Sequence, residues 1–468
     1  VTGVEGEMDL NLKGKRVTVM GLGLFGGGVG ATRFLVKKGA EVTVTDLRDR
    51  EALRESVDAL AGLPVRLKLG GHDRRDFQEA ELIVVNPAVP RESPFLKIAQ
   101  ENGVPIDTEM NLFFRLCRAP IIGITGTNGK TTTTALVGDI LRRVNPQTVV
   151  GGNIGGSLLD QIDQIQPDTP VVVELSSFQL EYLRNTGISP HIAVVTNLTA
   201  NHLDRHRTME NYIEAKKGII AHQGSGDTAV LNYDDSIVRG WKQECRGKVW
   251  FFSLRERLDQ GAFVQGEKIV LNQGDHETEI CGVGQLLLPG RHNLQNALAS
   301  ATAAWLAGAP PEAIRETFQS FQGVEHRLEF VRELGGVKYY NDSIATTPES
   351  TLAALNCFPE EITLIAGGSD KGLQFEELAE AIAARVKILI LIGTTAEKIG
   401  SLVEREKDRL ESKVILHHCS SLAQAVLKAQ KETAKGGVVL LSPACASYDM
   451  FRNFRQRGEM FKKLVWEL

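Results

Sequence analysis

Cysteine is scarce in this 468-residue chain, basic charge is not in excess, and long apolar runs are missing. The six cysteines (Cys117, Cys245, Cys281, Cys357, Cys419 and Cys445) form no C-x-x-C pair, which excludes a zinc knuckle and a disulfide framework and predicts reduced thiols. No apolar run approaches the roughly 18 residues that a membrane span needs. The acidic stretch from Val1 to Asp9 lacks the basic and apolar regions of a signal peptide, so a cytoplasmic location with no membrane partner is expected. Lys plus Arg number 53 against 58 Asp plus Glu, a net charge of −5, which leaves no basic field for a nucleic-acid partner. Glycine (46) and proline (16) together make up about 13% of the chain, well below the roughly 25–30% of low-complexity sequence. Glycine alone is enriched, at about 10% against a usual 7% or so, and the length fits about three domains with a core each.

The first stretch alternates short β-branched runs with amphipathic segments. Arg16 to Met20, a glycine loop, a helical pattern over Ala31 to Lys38, and Glu41 to Thr45 ending at Asp46 make a βαβ unit. Runs such as Leu82 to Val85, before Asn86-Pro87, continue the pattern to about residue 107. A second set begins at Pro120 to Ile124 and includes Val171 to Leu175 and Ile192 to Thr196. Between about Thr228 and Pro289 its character changes, and alternating segments such as Lys248 to Phe252 predict a small antiparallel insertion. A helical tract, Asn293 to Leu306, closes the set. From about Gly323 the alternation restarts with Glu361 to Ala366, Lys387 to Ile392, Val414 to Leu416 and Val438 to Leu441, separated by helical patterns such as Phe375 to Arg385. The expectation is an α/β chain of three domains (1–107, 108–323 and 324–468), the first Rossmann-like and the last doubly wound.

Two glycine loops follow strands. Gly126-Thr127-Asn128-Gly129-Lys130-Thr131-Thr132 lies between the apolar run Ile121 to Thr125 and a helical pattern over Thr133 to Arg143. Strand, glycine loop, Lys-Thr and helix form a phosphate cradle: backbone N–H groups turn onto phosphate oxygens, Lys130 reaches the β and γ phosphates, and Thr131 can ligand Mg²⁺. The full P-loop pattern wants glycine where Ile124 stands, so this loop is a shorter relative, of P-loop type, in a central ATPase domain. The second loop, Gly21-Leu22-Gly23-Leu24-Phe25-Gly26, fits G-x-G-x-x-G, with Asp46 at the end of the next strand. Its geometry supports a diphosphate at a helix N-terminus; a nucleotide diphosphate, NAD with Asp46 on a ribose hydroxyl, and plain βα packing all remain open.

Downstream of the cradle, Glu174 ends the run Val171 to Glu174, and His202 sits in the cluster Thr196 to His206 after the next apolar run. Ligands in open α/β sheets collect beyond the carboxyl ends of strands, so both residues are placed to hold Mg²⁺ on ATP phosphates. Lys216 and Lys217, on a helical stretch, read by themselves as a solvated face.

These motifs jointly resemble the Mur ligases. The resemblance rests on Gly126 to Thr132, Glu174 to Leu180, Asn201-His202-Leu203-Asp204, Tyr212 to Lys216, Gly290 to Asn296, Glu325 to Glu329, Asn341-Asp342-Ser343, Gly367 to Gly372 and Ser442 to Ser447, spread over nearly the whole chain. The last two, with Phe451 and Asn453 to Gly458, are similar to the branch that adds D-glutamate to UDP-N-acetylmuramoyl-L-alanine in peptidoglycan synthesis. That resemblance implies a cytoplasmic ATP-dependent ligase acting through an acyl phosphate and a tetrahedral intermediate, and a monomer. It implies that domain 1–107 binds the uridine nucleotide, 108–323 ATP, and 324–468 the amino acid. Lys130, Glu174, His202 and Lys216 would be catalytic. Two Mg²⁺ ions would be held by Thr131, Glu174, His202 and a carbamate formed from CO₂ on Lys216, which replaces the solvated-face reading for that lysine alone. ATP would lie on Gly126, Thr127, Asn128, Gly129, Lys130, Thr131 and Thr132, with Asn293, Asn296, Arg327 and Asp342 at adenine and ribose. Leu24, Phe25, Asp46, Asn86, Asn153 and His202 match the positions for the UDP substrate, and Thr346, Lys371, Ser447, Tyr448 and Phe454 those for D-glutamate.

The chain departs from the family pattern at three places. Ile344 stands where a lysine is usual, Phe25 where a small hydroxyl residue is frequent, and Tyr448 where a leucine is common. Rival readings are a Mur ligase adding a diamino acid, whose Asp-Asn-Pro-Arg signature is absent, an NAD-linked oxidoreductase built on Gly21 to Gly26, and a nucleotide-binding module without catalysis.

Overall fold

Three sheets organise the chain, and buried residues of the first two, such as Val19 and Val44 with Val173 and Val195, belong to one continuous apolar core. The computed structural model describes residues 11–468 apart from Leu24, Phe25, Pro289 and Lys371, and describes Leu203 and Asp204 by their backbone only. The candidate positions Leu24, Phe25 and Lys371 therefore lie outside the described residues. Residues up to Gln285 together with Gln295–Phe318 form one compact unit, and Leu286–Leu294 with Gln319–Leu468 form another.

The first sheet holds β1 (Arg16–Met20), β2 (Glu41–Asp46), β3 (Val65–Leu69), β4 (Leu82–Val85) and β5 (Ile106–Asp107). All pair in parallel, in the order β3-β2-β1-β4-β5. The order reverses direction at β1/β4, so the segments that follow these two strands, starting at Gly21 and at Asn86, flank the crevice where such sheets take ligands.

The second sheet contains β6 (Ile121–Thr125), β7 (Val149–Gly152), β8 (Val171–Glu174), β9 (Ile192–Val195), β10 (Thr228–Asn232), β11 (Lys248–Ser253), β12 (Gln260–Gln265), β13 (Lys268–Gln273) and β14 (His276–Gly282). Their order is β14-β13-β12-β11-β10-β9-β6-β8-β7. Strands β6, β8 and β10 are buried at every residue, as expected of a parallel sheet covered on both faces. Register places Ile124 opposite Glu174 and Thr125 opposite Val195, so the three loops that follow β6, β8 and β9 leave the sheet side by side.

The antiparallel part of this sheet is smaller than the sequence pattern suggested. Strand β11 pairs in parallel with β10, and β12 in parallel with β11. For β10 and β11 the cause is the connection over 233–247, which contains the helix Ser236–Gly240 and so forms a crossover, not a hairpin. Antiparallel pairing is confined to β12, β13 and β14, joined by two-residue turns at Gly266-Glu267 and Gly274-Asp275. These strands extend one edge of the sheet and do not stand apart from it.

The third sheet, in the second unit, holds β15 (Glu329–Leu334), β16 (Val337–Asn341), β17 (Ile362–Ala366), β18 (Val386–Leu391), β19 (Ile415–His418) and β20 (Val438–Leu441). Its order is β15-β16-β20-β17-β18-β19. The hairpin β15–β16, turning at Gly335-Gly336, precedes the βα alternation and was not announced by it. Strand β20 lies between β16 and β17, which brings the loops after Asn341, Leu441 and Ala366 together at one end of the sheet.

Candidate active site

The loop after β6 is shaped by two glycines. Gly126 has φ 152° and Gly129, the left-handed residue before the helix Lys130–Val144, has φ 81°. A methyl group on Gly126 would overlap Thr196 Oγ1, and one on Gly129 would overlap Asn296 Oδ1. The left-handed turn at Gly129 starts the helix at Lys130, three residues before the apolar periodicity begins. The first turn has no acidic residue and no side-chain cap from residue 129, which leaves a positive helix end open to an anion.

Strand-end residues of β9 hold the loop in shape. Thr127 N–H donates to Asn197 O at 2.9 Å and Asn128 N–H to Asn197 Oδ1 at 2.9 Å. Thr196 Oγ1 donates to Asn128 O at 2.6 Å. The Thr127 hydroxyl donates to Thr199 O at 3.1 Å, lies 3.1 Å from the Tyr212 hydroxyl, and accepts from Thr199 N–H at 3.0 Å. Lys130 Nζ donates to Thr127 O at 2.8 Å, folded over the loop it follows.

Beneath the loop sits Lys216, 2% exposed. Its Nζ donates to Gly126 O at 2.8 Å and Thr125 Oγ1 at 3.3 Å, and stands 4.9 Å from the Tyr212 ring centroid. Burial pushes its ammonium well below the usual lysine range, the positive charge of Lys130 pushes the same way, and Glu174 opposes both. Glu174 is 1% exposed; its Oε1 accepts from Asn153 Nδ2 at 2.9 Å, while Oε2 is buried with no hydrogen-bond partner among the described residues. A buried carboxylate oxygen left without a donor is costly unless something positive meets it. His202, exposed and left-handed at φ 52°, lies 5.2 Å from the Phe178 ring and 6.5 Å from that of Tyr212. Among the described residues no three His, Cys, Asp or Glu side chains gather as a ready-made metal site.

The other sequence-derived candidates fall into separate groups. Asp46 accepts from Gly23 N–H at 3.2 Å and from Arg48 N–H at 3.0 Å, and Asn86 lies against Gly21 and Gly23, so these positions share the β1/β4 crevice. Asn153 is drawn to Glu174 instead. Thr131 and Thr132 open the helix after the cradle, and Asn296 stands over Gly129.

In the second unit, Asp342 accepts from Ser442 Oγ at 2.7 Å and from Leu328 N–H at 3.2 Å. Burial raises its carboxyl from the usual 3.8 to about 7, against the pull of Ser442 and of the Arg327 charge. Arg327 Nε is buried with no hydrogen-bond partner among the described residues. Asn293, 4% exposed, lies in the first turn of the helix Arg291–Leu306. Ser447 is buried and Tyr448 is 66% exposed beside it, while Phe454 starts the helix Phe454–Trp466 with its ring edge-on to His326. Thr346 and Ile344 lie half-buried in the loop after β16. Arg457, 1% exposed, ties two of these loops: Nε donates to Ser343 Oγ at 3.0 Å and Nη1 to Cys445 O at 3.0 Å. The roles of Tyr212 at the cradle and of Arg457 here are not legible in the sequence, because both rest on contacts with residues far along the chain.

Comparison with known proteins agrees along the length of the chain. Residues 15–107 match the Mur ligase MurD-like N-terminal domain, 124–304 the Mur ligase middle domain, and 326–445 the Mur ligase glutamate ligase domain. A UDP-N-acetylmuramoylalanine–D-glutamate ligase of Roseiflexus sp. (strain RS-1) is 48% identical over 97% of this chain and 99% of its own. The chain belongs to the Mur ligase family. A ligase of the same name from Symbiobacterium thermophilum is 46% identical, over 96% of this chain and 98% of its own. Among solved Mur ligases, the UDP-N-acetylmuramate-alanine ligase MurC of Thermotoga maritima shares the fold with TM-score 0.59 at 18% identity, covering 97% of this chain and 99% of its own. The MurF ligase of the same organism, solved in complex with ADP, does so with TM-score 0.54 at 19% identity, covering 97% and 96%.

Proposed function

We propose that this Mur ligase joins D-glutamate to UDP-N-acetylmuramoyl-L-alanine with cleavage of ATP to ADP and phosphate, in cytoplasmic peptidoglycan precursor synthesis. The observation that carries the chemistry is the convergence of three groups: the Gly126–Lys130 cradle, Glu174 with its partnerless Oε2, and the buried Lys216 amine bonded to Gly126 O. The choice of D-glutamate is supported by the names of the relatives and by the glutamate ligase domain match over 326–445.

In this reading the carboxylate of the UDP substrate attacks the γ-phosphorus of ATP and ADP leaves, giving an acyl phosphate. The D-glutamate amine then adds to the acyl carbon, and the tetrahedral intermediate collapses as phosphate leaves and the amine proton is lost. Bringing a carboxylate to a triphosphate sets like charges against each other, so the work of the protein is to fix geometry and neutralise charge. Gly126, Thr127 and Asn128 shape the loop, with the Thr127 and Asn128 N–H groups held by Asn197; Gly129, Thr131 and Thr132 present backbone donors and a helix end to the phosphates, and Lys130 is within a side-chain swing of them. Asn296, Asn293, Arg327 and Asp342 hold the adenosine, and the partnerless Arg327 Nε is a donor without an assigned acceptor. Asp46, Asn86 and the Gly21–Gly26 loop take the uridine diphosphate, with Asn153 and His202 toward its sugar end. Thr346, Lys371, Ser447, Tyr448 and Phe454 receive D-glutamate.

The residues suit Mg²⁺. Thr131, Glu174 and His202 supply hydroxyl, carboxylate and imidazole, and the bare Glu174 Oε2 is a ligand atom with no competing donor. Two such ions would neutralise phosphate charge as it redistributes. A depressed Lys216 ammonium leaves more neutral amine at neutral pH. That amine can add to CO₂ with loss of a proton, converting a cation into an anionic oxygen ligand. Domain boundaries at 107 and 323 and action as a monomer go with this reading.

The test is phosphate release by the full-length protein from ATP and Mg²⁺. Release should require both UDP-N-acetylmuramoyl-L-alanine and D-glutamate. Turnover without D-glutamate, or equal turnover with L-lysine, would refute the assignment.

A further inference from the structure

Arg205 makes an unusual set of contacts. Its guanidinium donates through Nη1 to Ala88 O at 3.1 Å and through Nη2 to Pro87 O at 3.2 Å and Val89 O at 2.9 Å. Three successive carbonyls thus converge on one cation, and among the described residues no carboxylate lies within 4.0 Å of it. The same guanidinium lies 4.9 Å from the centroid of Phe178.

Both ends of this contact lead to the proposed reaction site. On one side, the carbonyls belong to the turn that begins at Asn86. Val89 N–H donates to Asn86 O at 2.9 Å, Ala88 N–H to Asn86 Oδ1 at 3.0 Å, and Asn86 N–H to Met20 O at 2.9 Å, so the turn sets the side chain that rests on Gly21 and Gly23. On the other side, Arg205 lies in the four-residue helix Leu203–His206, directly after His202. His202 O accepts from the backbone N–H groups of Arg205 at 3.1 Å and His206 at 2.9 Å, and the ring that Arg205 covers, Phe178, stands 5.2 Å from the His202 ring. The segment is bracketed by two left-handed residues that are not glycine, His202 at φ 52° and Arg207 at φ 68°. Such conformations persist where surrounding contacts over-determine them. His206 provides one anchor, with Nε2 2.9 Å from Ser177 Oγ and Nδ1 3.2 Å from Glu181, and Arg205 provides the other.

We propose that Arg205 is a positioning residue that locks the Asn86–Val89 turn of the first sheet to the His202 segment of the second. It thereby sets where a sugar nucleotide gripped at its uridine end presents its carboxylate to the phosphate cradle. The inference rests on the substrate reading given under Proposed function. A lysine at this position keeps the charge but cannot reach three carbonyls with a rigid fork, so the Arg-to-Lys change separates geometry from charge.

The experiment compares wild type with Arg205→Lys and Arg205→Ala in the full-length protein, measuring kcat, KM for each substrate, binding of UDP alone by calorimetry, and the thermal midpoint. Both variants should bind UDP and show a KM for ATP within about twofold of wild type, while kcat falls about ten- to a hundredfold, the loss expected of a misplacement near 1 Å. Added guanidinium should restore part of the rate of Arg205→Ala. A folded Arg205→Lys with kcat within about threefold of wild type overturns the proposal, and so does a fall in kcat matched by equal weakening of UDP and ATP binding. If Arg205→Ala does not fold, Arg205→Lys decides alone. A wild-type enzyme that releases phosphate without UDP-N-acetylmuramoyl-L-alanine refutes the substrate reading instead, and is recognised before any variant is made.

Discussion

Glu109 illustrates how a single carboxyl can make stability depend on pH. It starts the helix Glu109–Leu116 and accepts a 2.6 Å bond from Ser157 Oγ, but Asp160 stands near and burial outweighs the bond, raising its pKa from the usual 4.5 to about 7. Between those two values the folded protein binds a proton that the unfolded chain has released. Stability from this group is therefore complete below about pH 4.5 and lost as pH rises through about 7. Glu109→Gln mimics the protonated form at all pH values. The variant should match wild type near pH 5 and exceed it by about 1–3 kcal/mol at pH 8. Urea unfolding at pH 5, 6, 7 and 8 measures the gap, and a gap that does not widen with pH would show that Glu109 is ionised in the folded protein. Asp342, also raised to about 7, imposes a slope of its own in the second unit, and the difference between wild type and variant removes it.

At the scale of the element, the loop after β6 works only with its glycines in place. Alanine at Gly126 would drive Thr196 Oγ1 away from Asn128 O, the 2.6 Å bond that closes the cradle, and would strain a backbone at φ 152°. Gly126→Ala should destabilise the protein by about 1–3 kcal/mol and weaken ATP binding more than about tenfold. A methyl group on Gly156 would meet no heavy atom within 4 Å, and its φ is not positive, so Gly156→Ala should stay within about 0.5 kcal/mol of wild type. Calorimetric ATP titration and thermal unfolding of both variants test the contrast. This loop was legible in the sequence because strand, loop and helix are contiguous, and β4 and β20 were legible because buried parallel strands form unbroken apolar runs. The direction of β11 was not, since alternation reports a half-covered face and the connecting helix Ser236–Gly240 decides parallel against antiparallel. Nor was the place of Arg205: as one charge among many, it acquires meaning only from carbonyls more than a hundred residues away. Lys216 lay between these cases, for its helix could be read locally, but its burial under Gly126 could not.

For the molecule as a whole, the residues assigned to the nucleotide lie in segments far apart in sequence. Gly126 to Thr132 form the cradle, the helix Arg291–Leu306 supplies Asn293 and Asn296 three residues apart on one side, and Arg327 and Asp342 follow. A ligand that binds only the folded form slows the opening of the segments it contacts. A non-hydrolysable ATP analogue with Mg²⁺ should therefore slow amide hydrogen exchange at 126–132 and also at 326–342, although more than 190 residues separate the two segments. Protection confined to 126–132 would mean that the nucleotide is held by the cradle alone, and Asn293, Arg327 and Asp342 would lose their assignment while the phosphate site kept its own.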